Sequence, residues 1–246
     1  MKNKKEVSIG SWITLGHFSI AEIMADAGFD WLCVDIEHSV IDFYDLEVLI
    51  ATIQSKGVKP FVRVGDNDDL IIKRVLDAGA EGIIIPMINS KSEAKKAIRS
   101  IKYAPEGSRG VGLARAQGYG FNFEEYAAKF NNKIQIIAQV EHINAIKNLD
   151  EILSLEELSG TIIGPYDLSA SIGKPGQYND PDVKKLLNQY ENISKKFDKH
   201  MGYHVIEPNA KIVQKKIKDG YSFIALSLDT MFLGNSCRRE LKELKG

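Results

Sequence analysis

The chain has 246 residues, 44% of them hydrophobic, and a formal net charge of −1. That composition supplies a sizeable core and argues against disorder, and the near-neutral charge argues against a nucleic-acid partner, which needs a basic footprint. The charged start Met1-Lys-Asn-Lys-Lys-Glu6 leads into no apolar signal core, and no run approaches the roughly 20 apolar residues of a membrane span, so a cytoplasmic setting is expected.

In chain order, short apolar runs alternate with helical patterns. A strand is predicted over 7–13, then a helix opened by the capping box Ser19-Ile-Ala-Glu22, with Ile20, Ile23, Met24 and Ala27 at helical spacing and Gly28 as its stop. Strands follow over 31–36 and 60–64, and a helix over 70–76 ends at Gly79. The strand over 82–87 precedes a second capping box, Ser90-Lys-Ser-Glu93, and its helix. Residues 103–122, rich in Gly and Arg, form the longest irregular stretch, and such a loop in a compact domain is usually functional. Further strands are expected over 134–140, 161–164, 201–206 and 223–228, with helices over 209–217, stopped by Gly220, and 231–244. The two cysteines make no disulfide framework or zinc cluster, and Cys33, inside Trp31-Leu-Cys-Val34, reads as a buried thiol.

Most of the strand candidates are apolar on both faces, as buried parallel strands are. Eight of them alternating with helices over a chain of this length predict a single-domain (β/α)8 TIM barrel spanning residues 1–246, with an open doubly wound sheet as the alternative.

A barrel carries its site at the C-terminal ends of its strands. The polar residues there are Thr14, Gly16 and His17; Asp35-Ile-Glu-His38; Arg63; Gln139 and Glu141; Gly164-Pro-Tyr-Asp167; His204 and Glu207; and Asp229. Gln139 and Glu141 are two apart on a strand and so share a face. Glu141 and Asp167, on consecutive strand ends, are candidate ligands of a hard divalent ion, magnesium or manganese before structural zinc. A rim of solvated acids is the alternative. His38 reads either as a surface histidine beside acids or as a general base. Arg63 closes an apolar strand and needs a partner, an anion or a polarised oxygen. No Gly-rich loop follows the seventh or eighth strand, which weakens a phosphate-binding barrel.

The ordered set Ala27-Gly-Phe-Asp-Trp31, Asp35-Ile-Glu-His38, Val62-Arg63, Leu76-Asp-Ala-Gly79, Pro86-Met87, Arg109-Gly-Val-Gly112, Gln139-Val-Glu141 and Ile163-Gly-Pro-Tyr-Asp-Leu-Ser169 resembles the HpcH/HpaI family of class II pyruvate aldolases across nearly the whole chain. The resemblance implies reversible cleavage of 4-hydroxy-2-oxo acids to pyruvate, or a related 2-oxo acid, and an aldehyde through a metal-stabilised enolate. It implies Glu141 and Asp167 as ligands of a divalent ion (magnesium or manganese, with cobalt and zinc left open) and Gln139 as a neighbour holding the oxo acid. It implies substrate-carboxylate contacts from the backbone around Tyr166 and Asp167, His38 as base and Arg63 as the group facing the enolate oxygen. Asp77 matches the acid that raises the basicity of the histidine, yet it lies late in a helix that should end at the far face of the barrel. Either a neighbouring subunit supplies it or it is structural, and a homo-oligomer, hexamer or trimer, is expected. Tyr166 stands where the family often has alanine, which bears on the aldehyde. The competing functions are an acyl-CoA lyase of the citrate-lyase or malyl-CoA type and a catalytically silent binding barrel.

Overall fold

The computed structural model describes residues 5–246. Eight parallel strands, β1 (Ser8–Ile13), β2 (Trp31–Asp35), β3 (Lys59–Arg63), β4 (Gly82–Ile85), β5 (Gln135–Val140), β6 (Gly160–Ile163), β7 (His200–Val205) and β8 (Phe223–Leu228), close in sequence order into a barrel. Around it run α1 (Phe18–Asp26), α2 (Phe43–Ser55), α3 (Asp69–Ala78), α4 (Lys91–Ile101), α5 (Phe123–Lys133), α6 (Ile143–Lys147), α7 (Leu149–Leu153), α8 (Pro165–Ala170), α9 (Pro181–Ser194), α10 (Ala210–Asp219) and α11 (Asp229–Lys245). No helix among the described residues is long and apolar enough to cross a membrane.

Each predicted strand is present, the eighth with its predicted bounds and the others shifted by a residue or two at one or both ends. The barrel interior is filled rather than hollow, as apolar parallel strands require. Trp31 stacks on Phe223 with ring centroids 4.3 Å apart, and Phe61 tilts against both. These large rings fit because their neighbours have no side chain. A Cβ at Gly10 would lie 2.0 Å from the Trp31 ring, and one at Gly82 would lie 2.1 Å from Phe61. Cys33 is buried in the same layer, and burial pushes its thiol pKa well up.

The helix ends follow the local chemistry with one correction. α1 is capped by His17, whose Nδ1 accepts the Ser19 N–H, so Ser19 lies inside the helix and the expected box at Ser19-Ile-Ala-Glu22 does not form. Ser90 does cap α4 by accepting the Glu93 N–H, while the Glu93 carboxylate turns back one residue further, to the Asn89 N–H. Gly79 and Gly220 end α3 and α10 in the left-handed conformation, at φ 110° and 102°, where glycine carries no Cβ penalty.

The irregular stretch of 103–122 does not reach the C-terminal rim. It joins α4 to α5, and both of those helix ends lie at the N-terminal face. It is pinned there by Arg115, which donates to the Ala78 carbonyl and to Gln54, and by Arg109, which pairs with Asp77. At the opposite rim, Asp229 clasps the ends of β8 and β1 by accepting the N–H groups of Thr14 and Leu15 and the Thr14 hydroxyl.

Candidate active site

At the end of β2 the chain turns under Asp35, whose Oδ1 accepts the N–H groups of Glu37 and His38. The same buried carboxylate takes Arg63 from β3 in a two-point grip, Nε to Oδ1 at 2.9 Å and Nη2 to Oδ2 at 2.6 Å. Planar fork-on-fork pairing fixes the guanidinium in orientation as well as in charge. Trp12 from β1 lies under it, 4.5 Å from the guanidinium carbon to the ring centre, and Glu37 Oε2 stands 3.1 Å from Nε. The partner that the sequence demanded for Arg63 is therefore Asp35 within the chain. Nη1, the nitrogen that Asp35 does not use, is left over. Burial raises the Glu37 pKa, Arg63 opposes that, and the Glu141 charge adds to it. The His38 side chain is 70% exposed, with Nε2 3.8 Å from Glu37.

Gln139 and Glu141 share one face of the end of β5, as their spacing requires. The Gln139 amide donates to Glu141 Oε2 at 2.5 Å, and Glu141 Oε1 accepts the Met87 N–H at 2.8 Å. Met87 reaches that carboxylate from a left-handed conformation, φ 52°, uncommon for a side chain of its size. Glu141 is only 5% exposed and has no ion pair among the described residues. A buried carboxylate held by neutral donors alone is left with a large uncompensated charge.

Asp167 follows β6 in the first turn of α8, with Pro165 at the start of that helix. It lies across Gly164 from Glu141. A Cβ on Gly164 would come within 3.2 Å of Glu141 Oε2 and 3.9 Å of Asp167 Oδ2, so glycine keeps the space between the two carboxylates open. Ser169, in the same motif, donates to the Tyr166 carbonyl and accepts the Gly176 N–H, and this holds the loop carrying Tyr178 beside Tyr166. Two hard oxygen donors with room between them suit a divalent cation that keeps open positions. No group of three or more His, Cys, Asp or Glu gathers as a denser metal cluster among the described residues.

Arg63, Gln139, Tyr166 and Asp167 line one cavity of about 290 Å³ together with Trp12, Tyr178 and His204. Glu141 is joined to it through Gln139, whereas His38 is linked to Arg63 only by way of Glu37 and Asp35. Asp77 is not brought to this site. It lies near the end of α3 and pairs with the fully buried Arg109, Oδ1 to Nη2 at 2.6 Å. Trp12, Tyr178 and the clamping role of Asp35 escaped the sequence reading. Trp12 could have been found by alternation, two residues before Thr14 on the first strand, whereas Tyr178 sits in a loop with no periodic signal.

Comparison with known proteins gives one consistent result. The sequence model described as HpcH/HpaI aldolase/citrate lyase matches residues 8–236. The 2-keto-3-deoxy-L-rhamnonate aldolase of Escherichia coli strain K12 is 34% identical over 244 residues, covering 98% of this chain and 90% of that protein. The crystal structure of an HpcH/HpaI aldolase/citrate lyase family protein from Burkholderia cenocepacia superposes with a TM-score of 0.92 at 30% identity, over 98% of this chain and 95% of that one. The HpcH/HpaI aldolase of Desulfitobacterium hafniense superposes with a TM-score of 0.89 at 28% identity, over 98% and 93% of the respective chains.

Proposed function

We propose that this chain, which belongs to the HpcH/HpaI aldolase/citrate lyase family and is a carbon–carbon lyase of the aldolase type, reversibly cleaves 4-hydroxy-2-oxo acids to pyruvate or a close 2-oxo-acid relative and an aldehyde. The observation that carries the metal-dependent form of this reading is Glu141: a buried carboxylate with only neutral donors, facing a second carboxylate across a residue without a side chain. Glu141 and Asp167 are the residues that would hold a divalent ion, magnesium or manganese before cobalt or zinc. Such an ion supplies Lewis-acid polarisation of the oxo-acid oxygens.

The chain's own groups divide the remaining work. Gln139 orients Glu141 and offers its amide to the oxo acid, while the backbone of Tyr166 and Asp167 takes the substrate carboxylate. His38 accepts the proton from the methyl carbon, and its exposure lets it exchange that proton with water. Arg63, held rigid by Asp35, keeps a fixed positive charge for the oxygen on which negative charge develops, at no cost in reorganisation. Asp77 acts as the anchor of the 103–122 loop through Arg109. The chain works as a homo-oligomer, a trimer or hexamer, a reading supported by the exposed Val111, Leu113 and Phe121 of that loop and by Leu241 and Leu244 at the end of α11.

An activity assay with pyruvate and a panel of aldehydes, run with and without EDTA and with borohydride, tests this function. EDTA should stop turnover, added manganese should restore it, and borohydride should trap no adduct. A lysine–pyruvate adduct in the mass spectrum would replace this mechanism with a Schiff base.

A further inference from the structure

His204 is a polar residue of the cavity to which the reaction above gives no task. It sits on β7 with its ring 5.6 Å from that of Trp12 and lines the same cavity as Arg63, Gln139 and Asp167. Its Nε2 lies 3.2 Å from the Ser227 carbonyl oxygen. A carbonyl can only accept, so Nε2 carries the proton, and in the neutral ring Nδ1 is a bare lone pair. The ring is neutral: burial pulls its pKa down to about 4, the Ser227 carbonyl opposes this, and the Arg63 charge adds to it.

The backbone holds this tautomer. Ser227 is in the left-handed conformation, φ 54°, beside the place where the β1–β8 register shifts. Its carbonyl also takes the Ser11 hydroxyl, at 3.1 Å. Nδ1 has no hydrogen-bond partner among the described residues and is not sealed from the cavity. Nδ1 is one of several acceptors around the cavity, with the Gln139 amide oxygen and the oxygens of Glu207, Tyr166 and Tyr178; Arg63 can only donate, and Asp167 is the proposed ion ligand.

We propose that His204 is a specificity-determining residue whose Nδ1 accepts a hydrogen bond from a hydroxyl on the aldehyde half of the substrate, so that hydroxylated aldehydes are preferred over their deoxy counterparts. This assignment rests on the aldolase reading. A site built to accept from a hydroxyl discriminates against the analogue lacking it, because the acceptor is then desolvated without a partner.

The test compares kcat/KM for lactaldehyde with that for propionaldehyde, each with pyruvate and manganese, in the wild type, His204→Leu and His204→Asn. Each rate is divided by the same variant's own rate of proton exchange at the pyruvate methyl, so that a general loss of activity cancels. The wild type should favour lactaldehyde by about tenfold or more. His204→Leu should bring the ratio to near parity, and His204→Asn, whose amide oxygen can accept, should recover part of the preference. Parity in the wild type, or an unchanged ratio in His204→Leu, overturns the assignment alone. Absence of exchange in the wild type overturns the aldolase reading and the assignment with it. Should the leucine variant fail to fold, the wild-type ratio and the asparagine variant decide the matter.

Discussion

Among the described residues there are two arginine–aspartate pairs, one near each end of the barrel, and they differ in what they leave free. At the C-terminal rim Asp35 grips Arg63 at two points, and the guanidinium still lines an open cavity with Nη1 unused by that grip. At the other end Asp77 holds Arg109 at one point, and Nε and Nη1 of Arg109 are buried without partners. That guanidinium lies between aromatic faces instead, 4.5 Å from the centre of Tyr103 and 4.6 Å from that of Phe130. The same two residue types thus make a preorganised charge facing a cavity in one case and a sealed peg fastening a loop in the other. Pairing does not distinguish them; access does.

The largest expected effect lies at the open end. Glu141→Ala or Asp167→Ala should abolish manganese binding in calorimetry and turnover with it, while circular dichroism keeps the barrel signature. Unchanged manganese affinity in both variants would remove the metal from this rim. At the sealed end, Asp77→Ala should leave a buried guanidinium uncompensated and lower stability by about 3 kcal/mol, read by denaturant unfolding. Its oligomers should bind pyruvate and manganese as the wild type does. Should Asp77→Ala chains instead prove inactive, recovery of activity on mixing them with inactive His38→Ala chains would assign Asp77 to a site shared between subunits. Arg63→Lys keeps the charge and loses the fork, and should cost roughly a hundredfold in rate, about 2.7 kcal/mol. The parallel Arg109→Lys should change the rate by no more than about twofold, the difference appearing in stability. Equal rate losses in the two lysine variants would erase the contrast between the ends.

The sequence made the barrel legible because its signals are local and repeated: runs such as Gly82-Ile-Ile-Ile85, and glycine stops such as Gly79 and Gly220. The pairing of Gln139 with Glu141 on one face was legible for the same reason, since a strand alternates every residue. Long-range facts were less accessible. That Asp35 would grip Arg63, 28 positions on, depends on the β2–β3 register. The gap between Glu141 and Asp167 exists because of what Gly164 lacks, which a list of polar residues does not reveal. The cap of α1 fell to His17 rather than Ser19 because the imidazole nitrogen two residues earlier accepts the Ser19 N–H, which starts the helix ahead of Ser19.

The central claim is that the rim of Glu141, Asp167, His38 and Arg63 activates the methyl group of a 2-oxo acid. Exchange of the pyruvate methyl protons with deuterium oxide, followed by proton NMR without any aldehyde, tests it most directly. The expected result is exchange that requires manganese or magnesium, stops with EDTA, and is lost in Glu141→Ala and Asp167→Ala. Exchange that survives EDTA, or no exchange by the metal-loaded wild type, would contradict it.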